Sequence, residues 1–229
     1  MTKKLLMALL ALSSFTAVKA QTEKGNQLLG GSIGFNTSKV SNTNYTATNT
    51  YSSTSFSDTK LTTYNIGPNY SYFVASNLDL GVSASYGYQK GTSTSIYNSQ
   101  AYDSKFQNAT GMLYLRKYFL YESKIGIRTG PFASFSYGRQ TTNNYQPISN
   151  GYSDVTEQKN WNYSAGVGLD IVYFPAKKLG LSSAIGNLAY THNKSRNIYY
   201  NSISNGHTNG FGFNLASSVN FSVFYVFGK

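Results

Sequence analysis

The last nineteen residues, Phe211 to Lys229, place Phe211, Phe213, Leu215, Val219, Phe221, Val223, Tyr225 and Phe227 on odd positions and mostly Gly, Asn, Ala and Ser on even ones. A period of two with one greasy face is the mark of a β-strand. The run is far longer than the roughly 5–6 residues of an average strand in a soluble protein. Its polar face carries no charge, so the apolar face is expected to meet lipid rather than a protein core.

The same alternation recurs along the chain. Leu29 to Asn36 read as a weak first strand, Thr63 to Tyr72 as a second with a bulge or local irregularity expected at Pro68, and Asp79 to Gln89 as a third. The fourth, Asn108 to Phe119, is ambiguous in parity; Leu113 and Leu115 outward with Tyr114 and Arg116 inward is the cheaper arrangement. Ile125 to Gly138, Trp161 to Tyr173, Leu179 to Tyr190 and the terminal run complete eight strands, with a parity slip in the seventh that a bulge at Gly186 and Asn187 would explain. The polar stretches Thr37–Thr59, Lys90–Lys105, Arg139–Lys159 and Thr191–Asn209 show no period and read as long loops. Short turns at Ala75–Leu78, Tyr121–Lys124 and Pro175–Lys178 join the other strand ends. An even strand number with alternating long loops and short turns predicts an all-β, eight-stranded, antiparallel up-and-down transmembrane β-barrel, closed with the first strand beside the last.

Composition agrees with a lipid-facing sheet. Charged residues make up only 12% of the chain against 40% hydrophobic, whereas soluble domains carry about 25% charged. A soluble barrel would turn its Gly, Ser and Asn face to water with almost no Lys or Glu to guard it, a poor solvent surface. Small polar residues suit the narrow interior of an eight-strand barrel better. A secreted fibre is the further alternative, and no repeat of fixed period supports it.

At the N-terminus, Lys3 and Lys4 precede an apolar run from Leu5 to Leu12, and Val18-Lys19-Ala20 offers a small residue at the cut. Residues 1–20 therefore read as a cleaved signal peptide and 21–229 as the barrel domain, destined for the cell outer membrane. The absence of cysteine excludes a lipid-modified thiol at the cut, a disulfide framework and thiolate metal sites. The formal charge of +11 falls to +8 when Lys3, Lys4 and Lys19 leave with the signal. The remaining cations read as scattered over turns and loops without a cluster. Anionic headgroups or phosphate-rich glycolipid of the outer membrane, lipopolysaccharide among them, are the expected partners, and nucleic acid is not.

The aromatic residues fall into two rows. Tyr72, Tyr118, Tyr173, Tyr225 and Phe227 are expected to form a girdle near the short turns, and Tyr64, Tyr86, Tyr88, Phe135, Tyr137, Trp161, Tyr163, Phe211 and Phe213 one near the loops. On the inner face, Asp79, Arg116, Arg128 and Asp170 lie on four successive strands, each within a few residues of a short turn. A low-dielectric interior requires each charge to be partnered, so the four are expected to form a lumenal ion-pair cluster that fills and fixes the barrel or, alternatively, gates a narrow conduction path.

No catalytic constellation stands out. His192 and His207 sit near Ser195, Ser202 and Ser204, with Glu157 as a conceivable orienter, yet they fall in low-complexity stretches without a nucleophile signature. Two histidines without paired carboxylates make a weak metal site, so no metal or other cofactor is expected. The reading is non-enzymatic: a structural or surface-interaction protein acting in adhesion or envelope integrity. The alternatives are a narrow porin-like channel and a lipid-modifying enzyme.

These strands resemble the small outer-membrane β-barrel family that includes the OmpA transmembrane domain and OmpX. The likeness rests on the architecture, on Val219-Asn220-Phe221-Ser222-Val223-Phe224-Tyr225-Val226-Phe227, and on Leu115-Arg116-Lys117-Tyr118-Phe119, which is similar to segments in outer-membrane barrel-domain proteins of Bacteroidota. The resemblance implies insertion by the barrel-assembly machinery, which in that family reads an aromatic-ending last strand; here Gly228 and Lys229 follow Phe227. It also implies roles in adhesion, envelope integrity or complement resistance, with no shared catalytic residues to carry over.

Overall fold

The computed structural model describes residues 21–47, 52–95, 100–145, 153–199 and 202–228, so the signal segment expected at 1–20 lies outside the described residues. Among them the chain runs up and down through β1 (Gln27–Ala47), β2 (Ser52–Ala75), β3 (Leu78–Ser95), β4 (Gln100–Tyr121), β5 (Ile125–Tyr145), β6 (Ser153–Ala176), β7 (Leu179–Tyr199) and β8 (Ser202–Phe227). Every strand pairs antiparallel with its neighbours in sequence, and β1 pairs with β8 to close the ring. The all-β, up-and-down sheet with first strand beside last is thus the observed architecture. The closing seam is short: Gln27–Gly31 lie against Val223–Phe227, and beyond Gly31 and Val223 the two strands are unpaired with each other.

Alternation decides what faces out. Ile33, Ile66, Val82, Leu113, Val167 and Phe221 all stand exposed on the outer surface, Ile33 at 86%. Their neighbours Ser32, Gly67, Ser83, Met112, Gly168 and Ser222 line space inside the barrel. On β4 the inward set is Tyr114, Arg116 and Tyr118 with Leu113 outward, the cheaper parity. Tyr118 therefore departs from the expected girdle: it is buried inside the barrel, because it shares parity with Tyr114 and Arg116 rather than with Leu113.

The four stretches expected as long loops are a second departure. The strands run 18 to 26 residues, and the β1–β2 register continues without a step from Gln27↔Tyr72 to Ala47↔Ser52, through nearly all of 37–59. The other three hairpins extend in the same way. Only 48–51, 96–99, 146–152 and 200–201 remain as connections, outside the described residues. Thr and Tyr are good strand formers. Once a hairpin is in register, each further pair satisfies two backbone groups. With polar side chains on both faces there is no hydrophobic alternation to announce it.

The irregularities also differ in detail. Pro68 has no N–H to donate, and the irregularity expected there is a lapse of the β2–β3 ladder at Gly67 and Pro68 rather than a bulge, since Ile66↔Tyr86 and Asn69↔Ser83 share one register. Pro131 interrupts the β4–β5 ladder in the same way. The register step in β7 falls at Ile185, between Leu169↔Gly186 and Asp170↔Ala184, one residue before the expected Gly186. That extra residue switches parity and turns Leu188 and Tyr190 outward. In the three-residue β4–β5 connection, Glu122 and Ser123 both take positive φ, 48° and 57°, and the Lys124 amide donates to the Tyr121 carbonyl at 3.0 Å, a tight turn with two left-handed central residues.

The seam tolerates no extra bulk. Phe224 points inward between its partners Gly30 on β1 and Gly180 on β7, and a Cβ at Gly30 would run into Val223 and Phe224, one at Gly180 into the Phe224 ring. Gly30→Val or Gly180→Val is expected to lower the unfolding free energy of the refolded barrel by about 1–3 kcal/mol in urea titrations followed by gel mobility. Gly111→Ala, at a position with open space around it, is expected to stay within about 0.5 kcal/mol of the parent.

Candidate functional site

The inner face gathers its charges at one level. Asp79 and Arg116 are directly opposed on β3 and β4, and Arg128 and Asp170 on β5 and β6. Arg116 grips Asp79 with two bonds, Nε to Oδ1 at 3.2 Å and Nη2 to Oδ2 at 2.7 Å, and its Nη1 lies 4.0 Å from Asp170. Arg128 Nε donates to Asp170 Oδ2 at 2.7 Å. The structure therefore brings all four together in one network. Asp79, fully buried, also accepts from Ser71 Oγ at 2.8 Å and Tyr118 Oη at 2.9 Å. Arg128 in turn donates to Tyr118 Oη at 3.2 Å and Ser182 Oγ at 2.9 Å. Tyr118 is the hinge of the network, accepting from one arginine and donating to the acid held by the other. The Tyr114 ring lies 3.7 Å beneath the Arg116 guanidinium, a stacking that suits its flat, weakly hydrated face.

Beneath this layer the lumen is filled with hydrocarbon. Leu28, Phe73, Val172, Phe174, Phe224 and Val226 pack with Tyr118 into one buried cluster, with Phe174 edge-on to Phe224 at 5.6 Å. The chain entering β1 then crosses the turn end. Gln21 donates its side-chain amide to the Ala176 carbonyl on the β6–β7 turn, and Thr22 bonds Asn77 on the β2–β3 turn by both side chain and backbone. Those two turns lie on opposite sides of the ring, so the segment straps the mouth. On the hairpin side of the charged layer the lumen holds smaller residues around a cavity of about 230 Å³, lined by Ser32, Asn69, Ser83, Ser85 and Ser222 among others.

Sequence reasoning missed Ser71, Tyr118, Ser182 and the apolar plug. The plug had a signal. Phe73, Phe174, Phe224 and Val226 all sit on the polar parity within a few residues of the turn end of their strands, where Gly, Ser and Asn give way to large apolar side chains.

On the outer surface Tyr72, Tyr225 and Phe227 stand exposed at the turn side with Tyr173 half-buried; Tyr86 and Phe211 stand exposed at the hairpin side, with Tyr137 and Trp161 half-buried. Several hairpin-side rings are directly opposed cross-strand pairs: Phe35 with Tyr64 at 5.1 Å, Tyr137 with Trp161 at 5.7 Å, Phe135 with Tyr163 at 5.1 Å. Such pairs add to sheet stability beyond burial.

Just past these rings the cations are not scattered. Lys39 opposes Lys60 on the β1–β2 hairpin and Lys90 opposes Lys105 on β3–β4. Arg139 opposes Lys159 on β5–β6, and Lys194 opposes His207 on β7–β8. All share the outward parity of their strands. They escape notice in the sequence because stretches read as loops have no parity to count. Glu157 is held by Arg139 at 2.7 Å and Lys159 at 3.3 Å. Burial would raise its pKa, but the hydrogen bonds from Arg139 and Lys159 outweigh that and hold it below the ordinary glutamate value. Asp58 is lowered likewise by hydrogen bonds from Ser41 and Lys39. The stabilisation from both is present above ordinary carboxylate pKa values and lost as pH falls through the lowered ones.

The serine and histidine residues do not assemble into a triad. His192 Nδ1 faces Asn209 Oδ1, Glu157 is engaged by its two cations, and among the described residues no serine hydroxyl hydrogen-bonds either histidine.

The model of the family described as outer membrane protein beta-barrel domain matches residues 19–193. No curated protein sequence matches the chain. Among solved structures the chain is similar to a major outer membrane protein from Thermus thermophilus, with 13% identity over 89% of this chain and 98% of that one and a TM-score of 0.39. It is also similar to the transport unit of the autotransporter AIDA-I from Escherichia coli, with 9% identity over 98% and 96% and a TM-score of 0.32. Likenesses this distant bear on neither strand number nor activity.

Removing one partner from the lumenal network strands the other in a dry interior. Asp79→Ala is expected to cost about 3–5 kcal/mol of unfolding free energy. The double replacement Asp79→Leu with Arg116→Leu is expected to cost less than the sum of the two single changes, measured as a urea double-mutant cycle on the refolded barrel.

Proposed function

The chain belongs to the outer membrane protein beta-barrel domain family, and on that premise we propose that it spans the outer membrane as an eight-stranded barrel, is closed to solutes, has no catalytic activity, and works as a structural and surface-interaction protein through four polar β-hairpins. The observation that carries the reading is the inversion of its faces: apolar side chains cover the outside while charges and a packed plug fill the inside.

The dimensions fit. On β6 the outward row runs from Trp161 to Tyr173. At about 3.3 Å per residue and a tilt near 45°, that row rises about 28 Å, close to the ~25 Å apolar band of outer-membrane barrels. Aromatic rings at both ends of the row match the interfacial preference of Tyr and Trp. The strands continue well past the hairpin-side girdle, so paired ribbon extends beyond the apolar band.

The filled interior argues against the channel reading. An eight-strand barrel has room only for its own side chains, and here the charged layer, the hydrocarbon plug and the Gln21–Asn26 strap follow one another along the axis. A charged layer alone could pass water or ions; a continuous apolar layer beneath it cannot do so without opening.

Residues 21–229, refolded into vesicles, are expected to show heat-modifiable gel mobility and to leave swelling in isotonic sugars at the rate of empty vesicles. Swelling above that rate, or a conductance altered by Arg128→Ala or Asp170→Ala in planar bilayers, would establish the channel instead.

A further inference from the structure

Three of the polar hairpins place two cations face to face on the outer surface, Lys39 with Lys60, Lys90 with Lys105 and Arg139 with Lys159, a placement that destabilises a sheet unless something negative lies against it. Among the described residues three acids share this face, Asp58, Asp103 and Glu157, and Asp103 makes no ion pair. Among the described residues, Asp58 takes Lys39 and Glu157 takes Arg139 and Lys159, while Lys60, Lys90, Lys105, Lys194 and Arg196 make no ion pair. On β2, β3, β4 and β7, where Lys60, Lys90, Lys105, Lys194 and Arg196 stand, the belt therefore has an unmet demand for negative charge.

Its height narrows the source. Apart from Lys105 and Arg196, the cations lie two to four residues beyond an aromatic ring on the same strand, as Lys159 beyond Trp161, Arg139 beyond Tyr137, Lys60 beyond Tyr64 and Lys39 beyond Phe35. Along tilted strands this is about 5–10 Å above the ring level, where the phosphates of the leaflet would stand if the rings mark its interface. They also point sideways from the barrel, toward neighbouring lipid rather than up into the medium.

One sector is shaped as well as charged. On β6, β7 and β8 a groove of about 630 Å³ is lined by Trp161, Tyr163, His192, Lys194, Arg196 and His207. Tyr163 and His192 are cross-strand partners with rings 6.2 Å apart, and Trp161 is the partner of Lys194. Flat ring faces beside unpaired cations suit a ligand with sugar C–H surface and phosphate on one body. A soluble polyanion would satisfy the charge but has no reason to lie at the girdle.

We propose that the outward groove on β6–β8 binds the phosphorylated sugar headgroup of an outer-leaflet glycolipid, with phosphate on Lys194 and Arg196 and the sugar against Trp161, and that the rest of the belt makes looser contacts with its neighbours. This rests on the membrane-spanning reading above.

The test uses residues 21–229 refolded in zwitterionic detergent, with native mass spectrometry reading retained lipid. The probes are bisphosphorylated lipid A, the same glycolipid with both phosphates removed, and inorganic phosphate as competitor. The phosphorylated form is expected to bind at least tenfold better than the dephosphorylated one. A Lys194→Gln/Arg196→Gln variant is expected to lose about fivefold per cation removed, with its heat-modifiable mobility unchanged. Trp161→Ala is expected to weaken both glycolipids alike. Equal retention of the two glycolipids, an unaffected double variant, or full displacement by inorganic phosphate at equal concentration would each overturn the proposal. Failure of the parent chain to insert into vesicles would instead overturn the membrane reading on which it stands.

Discussion

Closure of the ring between the first and last strands is the constraint on which the rest of the structure depends. In hydrocarbon an unpaired strand edge leaves backbone groups unsatisfied at several kcal/mol each, so a sheet with an apolar outer face is stable there only as a ring. In this chain that closure is made by Gln27–Gly31 against Val223–Phe227, a far shorter ladder than any other in the sheet. Side-chain packing is added to those few pairs. Phe224 projects from the seam into the lumen, Gly30 and Gly180 make room on either side, and the ring meets that of Phe174 near a right angle and lies 5.7 Å under the Arg128 guanidinium. The seam, the plug and the charged layer are thus one construction, tied at Phe224.

The charged layer follows from the same geometry. Inverting the faces leaves little hydrocarbon for the interior, and small residues alone would leave it hollow. Two arginines and two aspartates with Tyr118 between them fill the cross-section and link β2, β3, β4, β5, β6 and β7 through side-chain bonds across the lumen. Such a network adds little net stability over a well-packed apolar core, because desolvation offsets most of its Coulombic gain. What it provides is registry. Each arginine is satisfied only when its strand sits opposite the correct partner, and the outward face, uniformly apolar, cannot enforce that by itself.

How much of this is legible in the sequence depends on alternation. The outward positions of the apolar band can be read residue by residue, since Val167, Leu169 and Ile171 alternate with small or polar neighbours, and the four lumenal charges can be named because each shares the polar parity. Where parity is locally ambiguous, reading fails: Tyr118 belongs with the girdle only if β4 changes parity after Arg116, and the strand keeps its alternation through both. Pro68 illustrates a different limit. A missing donor predicts a gap in the ladder, but whether the chain answers with a bulge or simply skips two bonds depends on the strand opposite, and here β3 holds its register.

The polar hairpins are the largest failure of that reading, and its cause bears on function. Ser, Thr and Asn on both faces give no hydrophobic period, so a paired ribbon and a flexible loop look alike in sequence, and only the ladder already established below them decides. Once the ribbon is recognised, each lysine acquires a direction. Lys39, Lys60, Lys90 and Lys105 point away from the barrel axis, as do Arg139, Lys159 and Lys194, because they share the parity of the apolar band beneath them. A loop could turn those charges toward water or toward one another's acids. A ribbon in fixed register keeps opposed cations opposed: Asp58 and Glu157, fixed on the same ribbons, relieve Lys39, Arg139 and Lys159, while among the described residues Lys60, Lys90 and Lys105 make no ion pair.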